Sequence, residues 1–224
     1  MKSTSLRPYE FTLGGFYGLF QLFVLPALAV ACNTYLNLPG WGLQFGIFAL
    51  NFLCSLVIFH RFLSHSWDCA CETPGQVAGY GALGLLIYYG GTIGMTTLIM
   101  LLRPDYANLN NGSVSQLASQ GGSLIFLAIA LFAPVAEELL YRGVLFQGFY
   151  KRSPFLAWCI SVLSFALVHV VGYMGQYDLP LFLLAVCQYI PAGISLCLAY
   201  RLSGTIITPI LMHMMINTLA YFAM

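Results

Sequence analysis

Two adjacent glutamates, Glu137 and Glu138, lie inside the apolar stretch from Ser123 to Phe146. A charged side chain at the centre of a membrane costs about 2.5–3.5 kcal/mol on insertion scales, so such residues are usually functional. Arg142 follows Glu138 by four residues and shares its helix face, where the two side chains can form an ion pair. Because one cation does not neutralise two carboxylates, Glu137 is left as the candidate general base or acid.

Two histidines lie in other apolar segments of the C-terminal half. His169 follows Phe165 by four residues, and His213 precedes Asn217 by four residues, so each pair shares one helix face. Facing lipid would be costly for the two imidazoles and for the amide, and the least costly arrangement turns them toward one polar cavity. The three apolar segments before residue 123 contain no ionisable residue at mid-depth, so we expect the activity within 123–223.

The composition is that of a membrane protein. Of the 224 residues, 60% are hydrophobic and 7% are charged, whereas a soluble domain carries about 25% charged residues. The net charge of +1 and the lack of a basic run argue against a nucleic-acid partner. We expect an all-α, polytopic transmembrane helical bundle whose main partner is the lipid bilayer.

About seven apolar segments are long enough to cross a membrane. They are predicted at 12–35, 41–60, 77–102, 123–146, 154–174, 180–200 and 204–223. Residues 1–122 would form an N-terminal region of about three spans, and residues 123–224 would form a catalytic helical core of about four.

The charge distribution predicts that the N-terminus is cytoplasmic. With this orientation only Arg103 lies on the outer side, leaving Arg142 aside as intramembrane. The cytoplasmic set is Lys2, Arg7, Arg61, Lys151, Arg152 and Arg201.

The polar segment from His65 to Glu72 gathers possible metal ligands, including Cys69 and Cys71. A structural metal site needs four ligands at suitable spacing, and no fourth soft ligand is evident here. We therefore expect an ordinary loop between the second and third spans.

Three short motifs occur in order on successive apolar segments. They are E-E-x-x-x-R at 137–142, F-x-x-x-H at 165–169 and H-x-x-x-N at 213–217. Together they resemble the signature of the CPBP family of intramembrane proteases, which includes type II CAAX prenyl endopeptidases, bacteriocin-processing proteins and Abi-type bacterial proteins. The resemblance covers roughly the last 100 residues, and the first three spans resemble nothing specific.

The resemblance implies a set of site residues. The implied catalytic residues are Glu137, Glu138, His169, His213 and Asn217, with Arg142 as structural support. Glu137 and His169 would hold and deprotonate a water molecule that attacks the scissile carbonyl. His213 and Asn217 would donate hydrogen bonds to the oxyanion, and Phe165 would pack beside the site.

Metal dependence stays open on the sequence alone. A glutamate-type mechanism without a metal is what the resemblance favours, so no cofactor is expected. Glu137, His169 and His213 with one open position would nevertheless also suit a catalytic zinc ion. Against zinc, neither histidine belongs to an H-E-x-x-H helix.

The implied activity is hydrolysis of a peptide bond in a membrane-associated or lipid-anchored protein, or in a processed peptide. The short chain without an extra domain favours a prokaryotic inner or plasma membrane. One alternative is a non-proteolytic immunity or scaffold protein with the same fold. Another is a small transporter or proton relay, which also needs polar residues at membrane depth but would spread them through both halves.

Overall fold

The computed structural model describes residues 5–36 and 38–223, so Lys2, which contributes to the charge bias, lies outside the described residues. Within these ranges 88% of the chain is helical, in eight helices with no strand, and the predicted all-α bundle is confirmed. The helices are α1 (Pro8–Tyr35), α2 (Gly40–Ile58), α3 (His60–Glu72), α4 (Pro74–Leu102), α5 (Leu109–Tyr150), α6 (Pro154–Val168), α7 (Leu179–Ser203) and α8 (Ile207–Phe222).

Five helices, α1, α2, α4, α5 and α7, are long and apolar enough to cross a membrane, and α6 and α8 are shorter apolar helices. These seven correspond one to one with the seven predicted segments. The fifth segment ends earlier than predicted, because α6 stops at Val168 instead of near residue 174. His169 therefore lies at the end of a helix, followed by a short 3-10 turn, Val171–Tyr173, instead of inside a span.

The predicted loop over 65–72 is wrong, because these residues belong to the amphipathic helix α3. Its buried residues Phe62, Ser66 and Ala70 are spaced by four, so a narrow stripe of apolar and small residues faces the bundle while most of the other side chains are exposed. The buried carboxylate of Glu10 accepts hydrogen bonds from the backbone N–H of Phe62, at 2.9 Å, and of Arg7. This contact joins the first turn of α3 to the start of α1.

Helix α5 is the central element of the bundle. In its most apolar stretch 56% of the residues are buried, compared with 6% in α2 and α4. The chain turns sharply at Gly122, whose φ of 51° and ψ of −130° are accessible to glycine and strained for other residues. The carbonyl of Gly122 accepts a hydrogen bond from the Tyr221 hydroxyl at 3.0 Å, which ties this kink to the end of α8.

Candidate active site

The two glutamates occupy a short α-helical segment of α5 between two π-helical stretches. The segment is Ala133–Glu138, preceded by Ala128–Phe132 and followed by Leu139–Phe146. π-Helical turns inside α-helices are rare and occur frequently at functional sites. Here they widen the helix on both sides of the glutamates.

Asn217 binds the backbone of this distorted region. The N–H of Ala133 bonds to the carbonyl of Ala128, five residues back, and Pro134 has no N–H to offer. The carbonyl of Ile129 thus lacks both its α-helical and its π-helical donor. The side-chain Nδ2 of Asn217 replaces them at 2.9 Å, so α8 satisfies a polar group that would be costly in an apolar environment.

Glu138 is the centre of a buried cluster of charges. Its Oε1 accepts a hydrogen bond from Nη1 of Arg142 at 2.9 Å, so the ion pair predicted from the four-residue spacing is present. The same oxygen lies 2.8 Å from Nδ1 of His213. Glu138 and Arg142 have no solvent-exposed surface and His213 is 4% exposed. Glu138 therefore joins α5 to α8, a contact that the sequence did not indicate.

Arg142 is held on two further sides. Its Nη2 donates to the carbonyl of Gly193 in α7 at 3.2 Å, and its guanidinium carbon lies 4.5 Å from the centre of the Phe165 ring. A Cβ added to Gly193 would lie 2.9 Å from a methyl carbon of Val162 and 3.2 Å from its Cα. Glycine at this position therefore permits the close approach of α6 and α7 beside the buried arginine.

His169 is fixed in one orientation by its neighbours. Its Nδ1 lies 2.7 Å from the carbonyl oxygen of Phe165, and because a carbonyl only accepts, Nδ1 carries the proton. In the neutral ring Nε2 then keeps a lone pair and is able to accept a proton or a hydrogen bond. The ring of Tyr189 stacks on the imidazole at 4.6 Å with an interplanar angle of 23°.

Phe165 separates the two imidazoles. Its ring centre lies 4.7 Å from that of His169 and 5.7 Å from that of His213, and only 2% of the residue is exposed. Tyr141 meets the same ring edge-on at 5.6 Å. The packing role expected for Phe165 is thus present, and the residue also sets the spacing between both histidines and Arg142.

Glu137 takes no part in the hydrogen bonds of the charged cluster in the described structure. Its Oε2 is buried and has no hydrogen-bond partner within the described parts of the chain. The residue lines a cavity of about 410 Å³ between α1, α2 and α5. The imidazole of His169 lies within electrostatic range of this carboxylate. Glu137 therefore keeps a carboxylate oxygen without a hydrogen bond in the described structure, on the wall of this cavity.

Five of the six residues selected from the sequence fall into two groups, and Asn217 belongs to neither. Glu138, Arg142 and His213 are in direct contact, while Glu137 and His169 lie close without a direct hydrogen bond among the described contacts. Asn217 contacts the backbone of α5 instead of the other site residues.

Sequence reasoning did not select Tyr189, nor the amides Gln21, Gln44 and Asn51 that line the Glu137 cavity. For these amides the sequence offered one signal: a polar side chain inside an apolar span tends to face a neighbouring helix.

The candidate zinc ligands do not fit a metal ion as they are placed. Across residues 5–36 and 38–223, no three His, Cys, Asp or Glu side chains are grouped so that they could hold a metal. This includes Glu137, His169 and His213, and it includes the polar residues of α3.

Comparison with known proteins adds a family and one bacterial relative. Residues 119–219 match the family model described as type II CAAX prenyl endopeptidase Rce1-like. The chain is similar to an uncharacterised 24.3 kDa protein of Escherichia coli, with 31% identity over 180 residues, which are 78% of this chain and 76% of that protein. No solved structure matches the chain.

Proposed function

Because the chain belongs to the CPBP family of intramembrane proteases, within which CAAX-type endopeptidases fall, we propose that it hydrolyses a peptide bond at membrane depth with Glu137 as the base. The observation that carries the proposal is the buried, unpartnered Oε2 of Glu137 on the wall of a cavity, with His169 nearby. An integral membrane location follows from the family and from the five spanning helices.

In the proposed reaction a water molecule donates one hydrogen bond to Glu137 and one to Nε2 of His169. Glu137 takes the proton as the water oxygen bonds to the scissile carbonyl carbon, which produces a tetrahedral oxyanion. The C–N bond then breaks and the proton passes from Glu137 to the leaving nitrogen. The fixed tautomer of His169 supports this role, because its Nε2 is the acceptor.

The proposed oxyanion donors are His213 and Asn217. Nδ1 of His213 is engaged by the Glu138 carboxylate, so donation from Nε2 requires both ring nitrogens to carry protons. Asn217 uses one N–H of its amide on Ile129 and has a second to offer. Removing one such donor typically lowers the rate by about 10²–10³.

We further propose that the reaction uses no metal and takes place in a prokaryotic inner or plasma membrane. The absence of a suitable ligand group among the described side chains supports the first point, and the relative from Escherichia coli supports the second. The substrate class is a membrane-associated or lipid-anchored protein or a processed peptide. Retention of cleavage after treatment with 1,10-phenanthroline is the expected result, and loss that is restored by zinc would refute the metal-free mechanism.

The central test is quantitative proteomics of membranes from cells producing either the wild type or Glu137→Gln. We expect at least one membrane protein to accumulate uncleaved with Glu137→Gln at equal abundance of the enzyme. Glu72→Gln, which makes the same change at an exposed carboxylate of α3, is the matched control and should cleave normally. Equal processing by the wild type and Glu137→Gln would instead support the non-proteolytic scaffold or immunity alternative.

A further inference from the structure

The cavity that contains Glu137 has a polar wall contributed by the N-terminal helices. Gln21 lies on α1, in the π-helical turn Phe20–Val24, and Gln44 and Asn51 lie on α2. All three line the same cavity as Glu137. The catalytic residues alone do not explain why three uncharged amide side chains lie on the wall of this cavity.

Hydrogen bonds fix the orientation of part of this wall. Oδ1 of Asn51 accepts from the hydroxyl of Tyr17 at 2.5 Å and from Nε2 of Gln21 at 2.6 Å. With its oxygen held by two donors, the amide directs Nδ2 elsewhere, and that nitrogen donates no hydrogen bond within the described structure. Oε1 of Gln21 likewise accepts none, and Gln44 makes no side-chain hydrogen bond among the described residues.

The wall therefore offers both kinds of hydrogen-bonding group at once. Asn51 presents donors, Gln21 presents an acceptor, and Gln44 presents both. Among the described residues that line the cavity there is no Lys, Arg, Asp or His, and Glu137 is the one charged residue. Such a surface does not select a charged ligand. It matches the alternating C=O and N–H groups of a polypeptide main chain.

A substrate for intramembrane hydrolysis needs such a surface. In a helix the main-chain groups bond to one another, and the scissile carbonyl is shielded by the neighbouring turns. To be attacked the segment must be extended, which leaves its N–H and C=O groups without partners in an apolar environment, where unpaired main-chain groups are strongly unfavourable. Amide side chains on the cavity wall replace the lost helical bonds.

We propose that Gln21, Gln44 and Asn51 bind the main chain of an extended substrate segment and hold its scissile bond against Glu137. The proposal rests on the proteolytic function proposed above and assigns substrate positioning to α1 and α2. The rest of the cavity wall is apolar and includes Leu22, Ile47 and Phe48, which suits apolar substrate side chains.

Gln44→Leu is the most informative variant, because Gln44 has no internal hydrogen bond to lose. The readout is cleavage of the protein that accumulates with Glu137→Gln. We expect Gln44→Leu to lower the cleavage rate about five- to tenfold, as for the loss of one hydrogen bond, at unchanged enzyme abundance and Tm. Gln116→Leu, the same change at an exposed position of α5 outside the cavity, should cleave at the wild-type rate.

Asn51→Leu tests the wall at a second position, although it also removes the bonds from Tyr17 and Gln21. Direct contact is tested by placing a photo-crosslinking benzophenone amino acid at Gln44 in the Glu137→Gln background. We expect it to capture the same uncleaved protein. The crosslinker at Leu53, which is 58% exposed on the same helix, should not capture it.

The outcomes separate the two proposals. If a protein accumulates with Glu137→Gln but Gln44→Leu and Asn51→Leu cleave it within twofold of the wild type, the polar wall serves only to pack α1 against α2. Equal crosslinking from Gln44 and Leu53 would also overturn the binding role. If no protein accumulates with Glu137→Gln, the proteolytic function fails, and the substrate-binding role fails with it.

Discussion

Nδ1 of His213 lies 2.8 Å from Oε1 of Glu138, the same oxygen that accepts from Arg142. The Glu138 carboxylate thus contacts both the guanidinium of Arg142 on α5 and the imidazole of His213 on α8. The two adjacent glutamates consequently have separate tasks: Glu138 holds the site together, and Glu137 faces the cavity.

This division predicts stability effects of very different size for the same substitution at the two positions. Glu138→Gln leaves the guanidinium of Arg142 buried without its counter-charge, and breaking a buried ion pair costs about 3–5 kcal/mol. Glu137→Gln removes a carboxylate whose Oε2 has no partner in the described structure, so its effect should stay within about 1 kcal/mol. The measurement is the free energy of unfolding in detergent micelles. Similar values for the two variants would contradict the assignment.

The Glu138–Arg142 pair was predictable because it depends only on the four-residue spacing within one helix. The bond from Glu138 to His213 was not, because it joins residues 75 positions apart and depends on how α8 rotates against α5. For the same reason, the sequence did not indicate the hydrogen bond from the Asn217 amide to the Ile129 carbonyl.

The N-terminal helices illustrate a second limit. Their lack of ionisable residues at mid-depth placed the expected activity within 123–223, yet Gln21, Gln44 and Asn51 line the same cavity as Glu137. An amide in a span is equally compatible with interhelical packing and with a site, and only the packed structure distinguishes these. The polar composition of residues 65–72 favoured a loop. The structure has a helix there, and because α3 buries only about one residue in each turn, the sequence shows little apolar periodicity.

Tyr189 should control the orientation of His169. Its ring stacks on the imidazole at 4.6 Å, and removing the flat surface with Tyr189→Leu lets the imidazole tilt about its bond to the Phe165 carbonyl. We expect the cleavage rate to fall about tenfold, because misplaced catalytic groups lose rate steeply. Tyr189→Phe keeps the ring and loses only the hydroxyl bonded to Asn108, so it should cleave within about threefold of the wild type.

The rate of cleavage of the substrate identified with Glu137→Gln provides the measurement for both Tyr189 variants. Equal losses for Tyr189→Leu and Tyr189→Phe would show that the hydroxyl contact to Asn108, and not the stacked ring, is what matters.

Gly122 should be required for the bend in α5. Its φ of 51° and ψ of −130° lie in a region that other residues enter at a cost of about 1–3 kcal/mol. Gly122→Ala is therefore expected to lower the free energy of unfolding by that amount, although a Cβ would meet no atom within 4 Å. Gly112→Ala, in an open helical position, should be neutral or stabilising by about 0.5–1 kcal/mol. Equal effects at both positions would contradict a strained backbone at Gly122.

Arg103 should make the thermal stability of the protein depend on pH in the acidic range. Its guanidinium lies 2.9 Å from Asp105 and 3.1 Å from Asp178, which joins the α4–α5 connection to the start of α7. The hydrogen bond from Arg103 lowers the pKa of Asp105 below its ordinary value. The backbone N–H of Leu181 and then Arg103 lower the pKa of Asp178.

A carboxylate with a lowered pKa in the folded state stabilises the fold above its ordinary pKa of about 4, and this contribution is lost as the pH falls further. We therefore expect the Tm in detergent to fall between pH 6 and pH 3. Arg103→Gln should lower the Tm at pH 6, and the difference from the wild type should shrink as the pH falls toward 3 and the two aspartates take up protons. Arg201→Gln is the matched control, because Arg201 contacts the ring and hydroxyl of Tyr150 instead of a carboxylate, and its Tm difference should not change with pH. A difference for Arg103→Gln that stays constant from pH 6 to pH 3 would show that the two aspartates contribute through neutral hydrogen bonds alone.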